Sequence, residues 1–538
     1  MTKSITKIKD RNAYIVGGGI GGLATAFFLI RDGKMPGSSI TIFEELEVMG
    51  GACDAKGNSK DGYFMRGGRM LNLPTYECTW TMLKDVPSLT SKNVSVYDEV
   101  LAYNKKWKIN INARLIGENR EILNSRDMQF STKDKIDLIK LVASSEHHLS
   151  DKRIDECFNN SFFKTNFWCM WTTTFAFETW HSAIELRRYL IRFMHEFHNI
   201  HNLSGINRTP YNQYESLILP ILKYLENNGV NFKRNTSVTD LKIEENVDGS
   251  KSVKSLLFTE NSHNHTLKLN ENDVVIATVG SMTENSSIGS QDIAPKFNLN
   301  KLGNAWQLWK NIAKGRKELG NPDKFISNVD KSFWESFSIT SIDGHVLLNN
   351  FCELDKNIPG NTLLMTFKNS SWLITYGVPH QPYFINQLDN VKVMWGYALL
   401  PNNIGNYVKK PMRDCSGSEI LTELCYHHQC LDKLEKVLKS TKCIPCLMPY
   451  ITSQFMPRNL TDRPQIVPEG YTNLGLIGQY SEIEHDTVFT IEYSVRGAQI
   501  AVYSLLGLDK KTIPKVSEHN KEFKVILESF EMMMSKGK

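Results

Sequence analysis

The stretch AYIVGGGIGGLATAFFLIRDGK, residues 13–34, constrains the fold of this 538-residue chain more than any other. A short apolar strand, Ala13 to Val16, runs into a glycine turn and then into an apolar helix face from Leu23 to Ile30. Gly17, Gly19 and Gly22 fill the three glycine positions of G-x-G-x-x-G. Glycine is required there because the turn is tight, a pyrophosphate touches the backbone, and the helix packs close to the strand. The helix N-terminus then offers free N–H groups to the phosphates. A second strand, SITIFEE, follows at about the expected distance and ends in acid, which places Glu44 to hold a ribose diol. Strand, glycine turn, helix and acid in this order predict an α/β, Rossmann-like nucleotide-binding fold.

FAD and NAD share that fingerprint, so other segments must separate them. EVMGGACD brings a second glycine loop, Gly50 and Gly51, soon after the acidic strand. DVVIATVGS (Asp273 to Ser281) is an apolar strand ending at Gly280 and Ser281, as expected where a returning strand passes a cofactor. Near the end, a strand from Leu474 to Ile477 meets a glycine turn at Gly478, and a helix starts at about Thr490. Segments from the start, middle and end of the chain converging on one ligand suit a long cofactor. An NAD domain is usually contiguous, so the pattern favours FAD.

The stretch RGGRMLNLPTYEC (Arg66 to Cys78) holds a glycine doublet between two arginines. Such a loop suits a backbone that comes close to something anionic and flat. Bulk composition narrows the partners. The net charge of +5 is mild and no compact Lys/Arg run appears, so nucleic acid is not expected. No run of about 18 apolar residues predicts a membrane span. The N-terminus runs straight into a strand and offers no apolar signal core. Ten scattered cysteines point to reduced thiols in a cytoplasmic compartment.

Between the nucleotide-binding pieces lies an aromatic-rich stretch, Asn166 to Phe197. Leu186, Tyr189, Leu190, Phe193, Met194 and Phe197 recur there at three- and four-residue spacing, predicting an amphipathic helix with Tyr189 in its buried stripe. Core packing explains the stripe, and so does a lipid-like tunnel with one hydroxyl against an apolar chain. A helix over about Glu215 to Asn227, a stop at Gly229 and a strand then return the chain to the first sheet. SSWLITYGVPHQPYF and VKVMWGYALLP read as strands of a second sheet. The tail KEFKVILESFEMMMSKGK is an amphipathic helix with a Met-rich face. It suits peripheral contact with a membrane surface, although docking on its own protein is the commoner outcome. Cys425, His427, His428, Cys430, Cys443 and Cys446 look like zinc-ligand material, but the first four fall on a helix where they point in different directions, so no metal site is expected.

Several segments together resemble the oleate hydratase family, the FAD-containing fatty acid hydratases also called myosin-cross-reactive antigens. They are IVGGGIGGLATAFFLIRDGK, IFEEL, YFMRGGRM, YEC, FAFETWHSAIELRRYLIRF, RTPYNQYESLILP, NPDKF, NYVKKPM, MPYITSQFM and DTVFTIEYSVRGA, spread from about residue 13 to about residue 505. The resemblance implies addition of water across the cis double bond of a long-chain unsaturated fatty acid, oleate to a hydroxystearate, with FAD undergoing no net redox change. It implies that Arg66, Gly67, Gly68 and Arg69 lie against the flavin ring and that Tyr189 is the proton donor. The residue after RGGR is usually a glutamate that activates water; here it is Met70, followed by a longer spacing to YEC. Water then needs little activation, or another group such as Glu77 supplies it, or the activity is lost. Asn212 and Gln213 are implied to help place the substrate. The family's carboxylate-binding segment falls at YGVPHQPYF, where its usual Thr and Asn appear as Gly377 and Pro379, leaving His380, Gln381 or Tyr383 for the carboxylate.

On this reading residues 10–125, 215–300 and 445–508 form a discontinuous FAD-binding domain. Residues 126–214 and 301–444 form the substrate domain, and 509–538 a helical tail. Monomer and homodimer both stay open. The competing readings are a redox flavoenzyme of the desaturase or amine oxidase sort acting on an apolar substrate, and a non-catalytic lipid-binding flavoprotein.

Overall fold

A computed structural model of the chain describes residues 11–297 and 301–534. Its first sheet has five parallel strands, with Ala13–Val16 in the middle. Ile40–Phe43 and then Asn231–Lys233 lie on one side, Val274–Thr278 and then Leu474–Ile477 on the other. All but the edge strand Asn231–Lys233 are short, almost wholly apolar runs, as buried parallel strands must be. Helices Ile20–Arg31 and Ile491–Leu506 pack together over one face. The other face carries Trp306 and Trp309 of the helix Asn304–Ala313 and Val238, Leu241 and Phe258 of a three-stranded antiparallel sheet. This α/β core is the expected Rossmann-like unit, and ligands bind such sheets at the carboxyl ends of their strands.

The second sheet has seven strands in the order Ser287–Ile288, Thr441–Met448, Trp334–Ser341, Lys392–Ala398, Ile374–Gly377, Met365–Phe367 and Leu115–Ile116. All pairs are antiparallel except the last. Ser287–Ile288 and Leu115–Ile116 were expected with the nucleotide-binding segments, yet both pair into this sheet. Its strand Trp334–Ser341 is buried along its whole length. Phe337 and Ile339 point into a core beneath the helix Gly417–His427, and the alternate residues point the other way. There the hairpin Ala55–Asn58/Gly62–Met65 is fastened by Tyr63 N to Thr340 Oγ1 (2.9 Å) and Met65 N to Ser338 Oγ (3.1 Å). The Arg66–Arg69 loop leaves this hairpin and so emerges between the two sheets.

Two expectations needed revision. The aromatic stretch is two helices, Asn166–Phe175 and Ala183–Arg192, not one long stripe. Ala176 ends the first in the left-handed region (φ 65°), and Phe193 caps the second, so Met194 and Phe197 belong to a separate tight turn. The helix after Tyr211 opens with a wide turn, Tyr214–Ile218, before regular helix over Leu219–Asn227. Pro220 has no N–H and crowds the preceding turn, which accounts for the widened ladder. The tail helix, Phe523–Met534, docks on the Met194–Asn199 turn, with Ser529 Oγ donating to Met194 O. Among the described residues no helix is long and apolar enough to cross a membrane.

Candidate functional site

A cavity of about 350 Å³ opens at the carboxyl ends of the parallel strands. Gly17, Gly19, Glu44, Gly51, Arg66, Arg69, Gly280, Ser281, Gly478 and Thr490 all line it, gathered from five separated parts of the chain. The glycines explain its shape. Gly17 has φ 99°, and a Cβ on Gly22 would stand 1.9 Å from Gly17 O, so Gly22 packs helix on strand and does not line the cavity. Gly19 faces Gly51, with only the Gly51 Cα within 4 Å of a Cβ placed there. The helix Ile20–Arg31 has no side-chain cap, which leaves its first N–H groups to a ligand.

Glu44 accepts from Gly18 N (2.7 Å) and Leu46 N (2.9 Å), one bond to each carboxylate oxygen. Burial raises its pKa against those bonds. Each oxygen keeps a lone pair for a diol. Thr490 caps the helix Ile491–Leu506 by accepting from Tyr493 N (3.1 Å), and Ile491 and Ser494 of its first turn reach the cavity. Bare glycine backbone, a carboxylate, two arginines and a helix start form a donor set that fits a dinucleotide. Thr236, Ser237 and Val238 also line it, as does Glu284, whose pKa burial and Glu45 push up to about 7. The sequence reading missed these; the small polar run NTSV directly after the returning strand was the available signal.

A second cavity, about 90 Å³, adjoins the first and shares Arg69, Met282, Phe489, Thr490 and Ile491 with it. Gly67, Gly68, Met70, Tyr76, Thr174, Phe175, Tyr189, Trp334, Ser336, Trp395 and Tyr397 contribute to its wall. Gly68 is obligatory, since a Cβ there would meet the Trp395 indole at 2.3 Å. Tyr189 is 1% exposed and ringed by Phe175, Phe177, Phe193 and Phe455 at 5.0–5.9 Å between centroids. Its hydroxyl donates to Val488 O at 2.6 Å. Burial, followed by Tyr76, Glu185 and Asp486, pushes its pKa well above the ordinary value. Arg188 is spent on Glu146 and Glu482, and Arg192 on Glu77 and Asp486. Among the described lining residues Arg69 is the one cation, held by Ala52 O at 2.7 Å. Arg66 pairs with Asp54 at 2.7 Å.

The remaining candidates lie off this wall. Gln213 sits behind the loop with its amide on Gly67 O (3.0 Å) and its Oε1 unpaired. Asn212 accepts from Tyr214 N and Glu215 N and donates to Tyr383 O and Glu215, so its side chain caps the following turn rather than facing a substrate. Gln381 is consumed by Pro379 O, Val393 and Gln387. The His380 ring lies tilted against Trp107, 4.4 Å between centroids, and Tyr383 is buried; neither they nor Gln381 line the second cavity. Glu77 is no replacement base. Burial would raise its pKa, but hydrogen bonding and charge from Arg192, then Arg496, hold it below the usual value. Both arginines and Ser517 occupy its oxygens, away from the cavity.

Comparison with known proteins follows the same lines. Residues 10–503 match the MCRA family. An oleate hydratase of Streptococcus pyogenes is 36% identical, over 97% of this chain and 90% of its own. A linoleate hydratase of Lactiplantibacillus plantarum is 32% identical, over 97% of this chain and 98% of its own. An oxidoreductase structure from Methanosarcina mazei superposes with TM-score 0.50 at 12% identity, covering 92% of this chain and 100% of that one. A redesigned putrescine oxidase gives 0.51 at 11%, covering 92% and 99%. Those two similarities concern the fold alone. The family match over nearly the whole length, with two relatives above 30% identity, makes this chain a member of the MCRA family.

Proposed function

We propose that the chain is an FAD-dependent hydratase that adds water across the cis double bond of a long-chain unsaturated fatty acid. The hydratase names of its two relatives support the reaction class. The observation that carries the reading is the Tyr189 hydroxyl, held on the wall of an apolar cavity that shares Arg69 and Phe489 with the nucleotide-shaped one. FAD in the first cavity would shape the Arg66–Arg69 loop and add fixed charge beside the second, with no net electron transfer.

The chain's own residues divide the remaining work. Phe175, Phe193 and Trp395 exclude bulk water and hold the alkene. The Tyr189 Oη–H gives its proton to one alkene carbon, water oxygen bonds to the other, and the water's surplus proton restores the phenol. An ordinary phenol, with pKa about 10, is already a poor acid. Burial makes this one poorer still, so orientation must supply what acidity does not. Val488 O provides that hold in the resting protein.

Tyr189→Phe tests the proposal. It deletes one hydroxyl and keeps the ring in its aromatic cage, so FAD content and melting temperature should stay at wild-type values. Hydration of oleate should fall by about 100- to 10,000-fold, the worth of a positioned acid. Full activity in this variant would remove Tyr189 from the reaction.

A further inference from the structure

Strand Trp334–Ser341 turns Trp334 and Ser336 to one face, two residues apart, and both line the cavity that holds Tyr189 and Met70. The Trp334 indole N–H and the Ser336 hydroxyl are buried and have no hydrogen-bond partner among the described residues. Only the Cys446 thiol, a weak partner, stands beside Ser336. Trp334 stacks on Tyr397 at 4.9 Å and meets Phe489 edge-on at 5.7 Å. Phe489 directly follows Val488, whose carbonyl takes the Tyr189 hydroxyl. Trp334 and Ser336, neither with a strong partner for its polar atom, therefore line the same cavity of about 90 Å³ as the acid. Buried polar groups without protein partners call for an ordered water, and a water needs at least two of them. Among the described residues no carboxylate lines this cavity, and Met70 cannot accept a proton.

We propose that Trp334 and Ser336 hold the water that adds to the double bond, supplying here the positioning that Met70 cannot. This rests on the hydratase reading above. The indole N–H donates to one lone pair of the water, and Ser336 Oγ accepts one of its hydrogens. The other lone pair is thereby left for the alkene carbon. As the C–O bond forms, the surplus proton returns to the phenolate that Tyr189 became when it protonated the neighbouring carbon. Proton and electron pair balance, and no further base is consumed.

Ser336→Ala and Trp334→Phe, assayed with oleate and FAD, test the assignment. We expect kcat to fall by about 100-fold or more, with KM and FAD loading within about twofold of wild type. In deuterium oxide, oleate recovered from Ser336→Ala should carry more deuterium per turnover than oleate from wild type, because a cation formed without water in place reverts by losing a hydrogen from the same carbon, and loss of the original hydrogen leaves the deuterium behind. Adding Met70→Glu to Ser336→Ala should restore at least tenfold of the lost rate, which a merely structural defect would not allow. Undiminished kcat in both single variants overturns the assignment, as does loss that tracks FAD release and is not rescued by Met70→Glu. Wild-type protein that makes no hydroxy fatty acid would bring down the hydratase reading itself.

Discussion

Met70 stands where the resemblance leads one to expect a glutamate, and its surroundings say what a substitution there should do. Its side chain packs on the wall of the Tyr189 cavity, and its neighbour Arg69 is the one lining cation among the described residues. Met70→Glu would place a carboxylate beside that guanidinium, which offsets part of the cost of burying it. Hydration in this single variant should rise or hold; a fall with FAD content intact would show that the longer loop aims the new group wrongly. Gly19→Trp is the complementary test of the cofactor cavity. Only Gly51 stands near the missing Cβ, so the indole would fill the space between the two glycine loops. FAD binding, followed by flavin absorbance after gel filtration, should be lost while the fold persists.

Which residues the sequence revealed follows from how local their task is. Gly17, Gly19 and Glu44 serve a turn and a strand end a few dozen residues apart, and fixed spacing exposes them. Tyr189 stands in an ungapped motif. Asn212, Gln381 and Glu77 carry the same polar chemistry as site residues, but distant partners such as Tyr383, Val393 and Arg496 have already claimed them. Nothing in spacing reports that. Trp334 and Ser336 were missed for the converse reason, since an unpaired group looks like any other until its surroundings are known.

At the scale of elements, the short parallel strands were legible from their apolar runs and glycine ends. The aromatic stretch was not, because helical periodicity continues through Phe193 while the backbone breaks at Ala176 and again at Phe193. The helix bearing Tyr189 is fixed from outside by buried ion pairs. Arg192 and Arg496 both grip Glu77, at 2.7 and 2.8 Å, and Ser517 of the tail segment adds 2.6 Å. Asp486 stays with both guanidinium groups and Glu492 with Arg496, so Glu77→Gln removes one charged partner of several and should cost about 1–3 kcal/mol, read as a lowered melting temperature. A change below about 1 kcal/mol would mean that the network contributes little. On the same helix Arg188 meets Glu482, as do Arg458 and Arg463. Burial would raise the Glu482 carboxyl, but Arg458, Arg188 and Arg463 outweigh it and hold it at about 2. A depressed carboxyl stabilises the fold above its unfolded value and loses that contribution as protons bind. Stability on the order of 3 kcal/mol should therefore disappear as pH falls from about 5 towards 2. Melting temperatures recorded across that window should decline, and Glu482→Gln should flatten the decline. A flat wild-type profile would contradict the pairing.

At the scale of the whole molecule, two sheets meet at the Arg66–Arg69 loop, and two cavities share five residues there. The motifs foretold a cofactor unit and a substrate unit, but not that the hairpin before the Arg66–Arg69 loop would be fastened to the second sheet, since the Ser338 and Thr340 contacts span more than 270 residues. Shared walls make binding at the two cavities interdependent, and such coupling is reciprocal. FAD should tighten fatty acid binding, and fatty acid should tighten FAD binding by the same factor; independent affinities would separate the cavities functionally. The central claim is that this paired site adds water to an alkene and moves no net electrons. It is tested most directly by incubating protein, FAD and oleate without oxygen in heavy-oxygen water and weighing the product by mass spectrometry. The account predicts one labelled hydroxyl per product molecule and an unchanged flavin spectrum at the end. Unaltered oleate, or a desaturated product formed as the flavin bleaches, would contradict it.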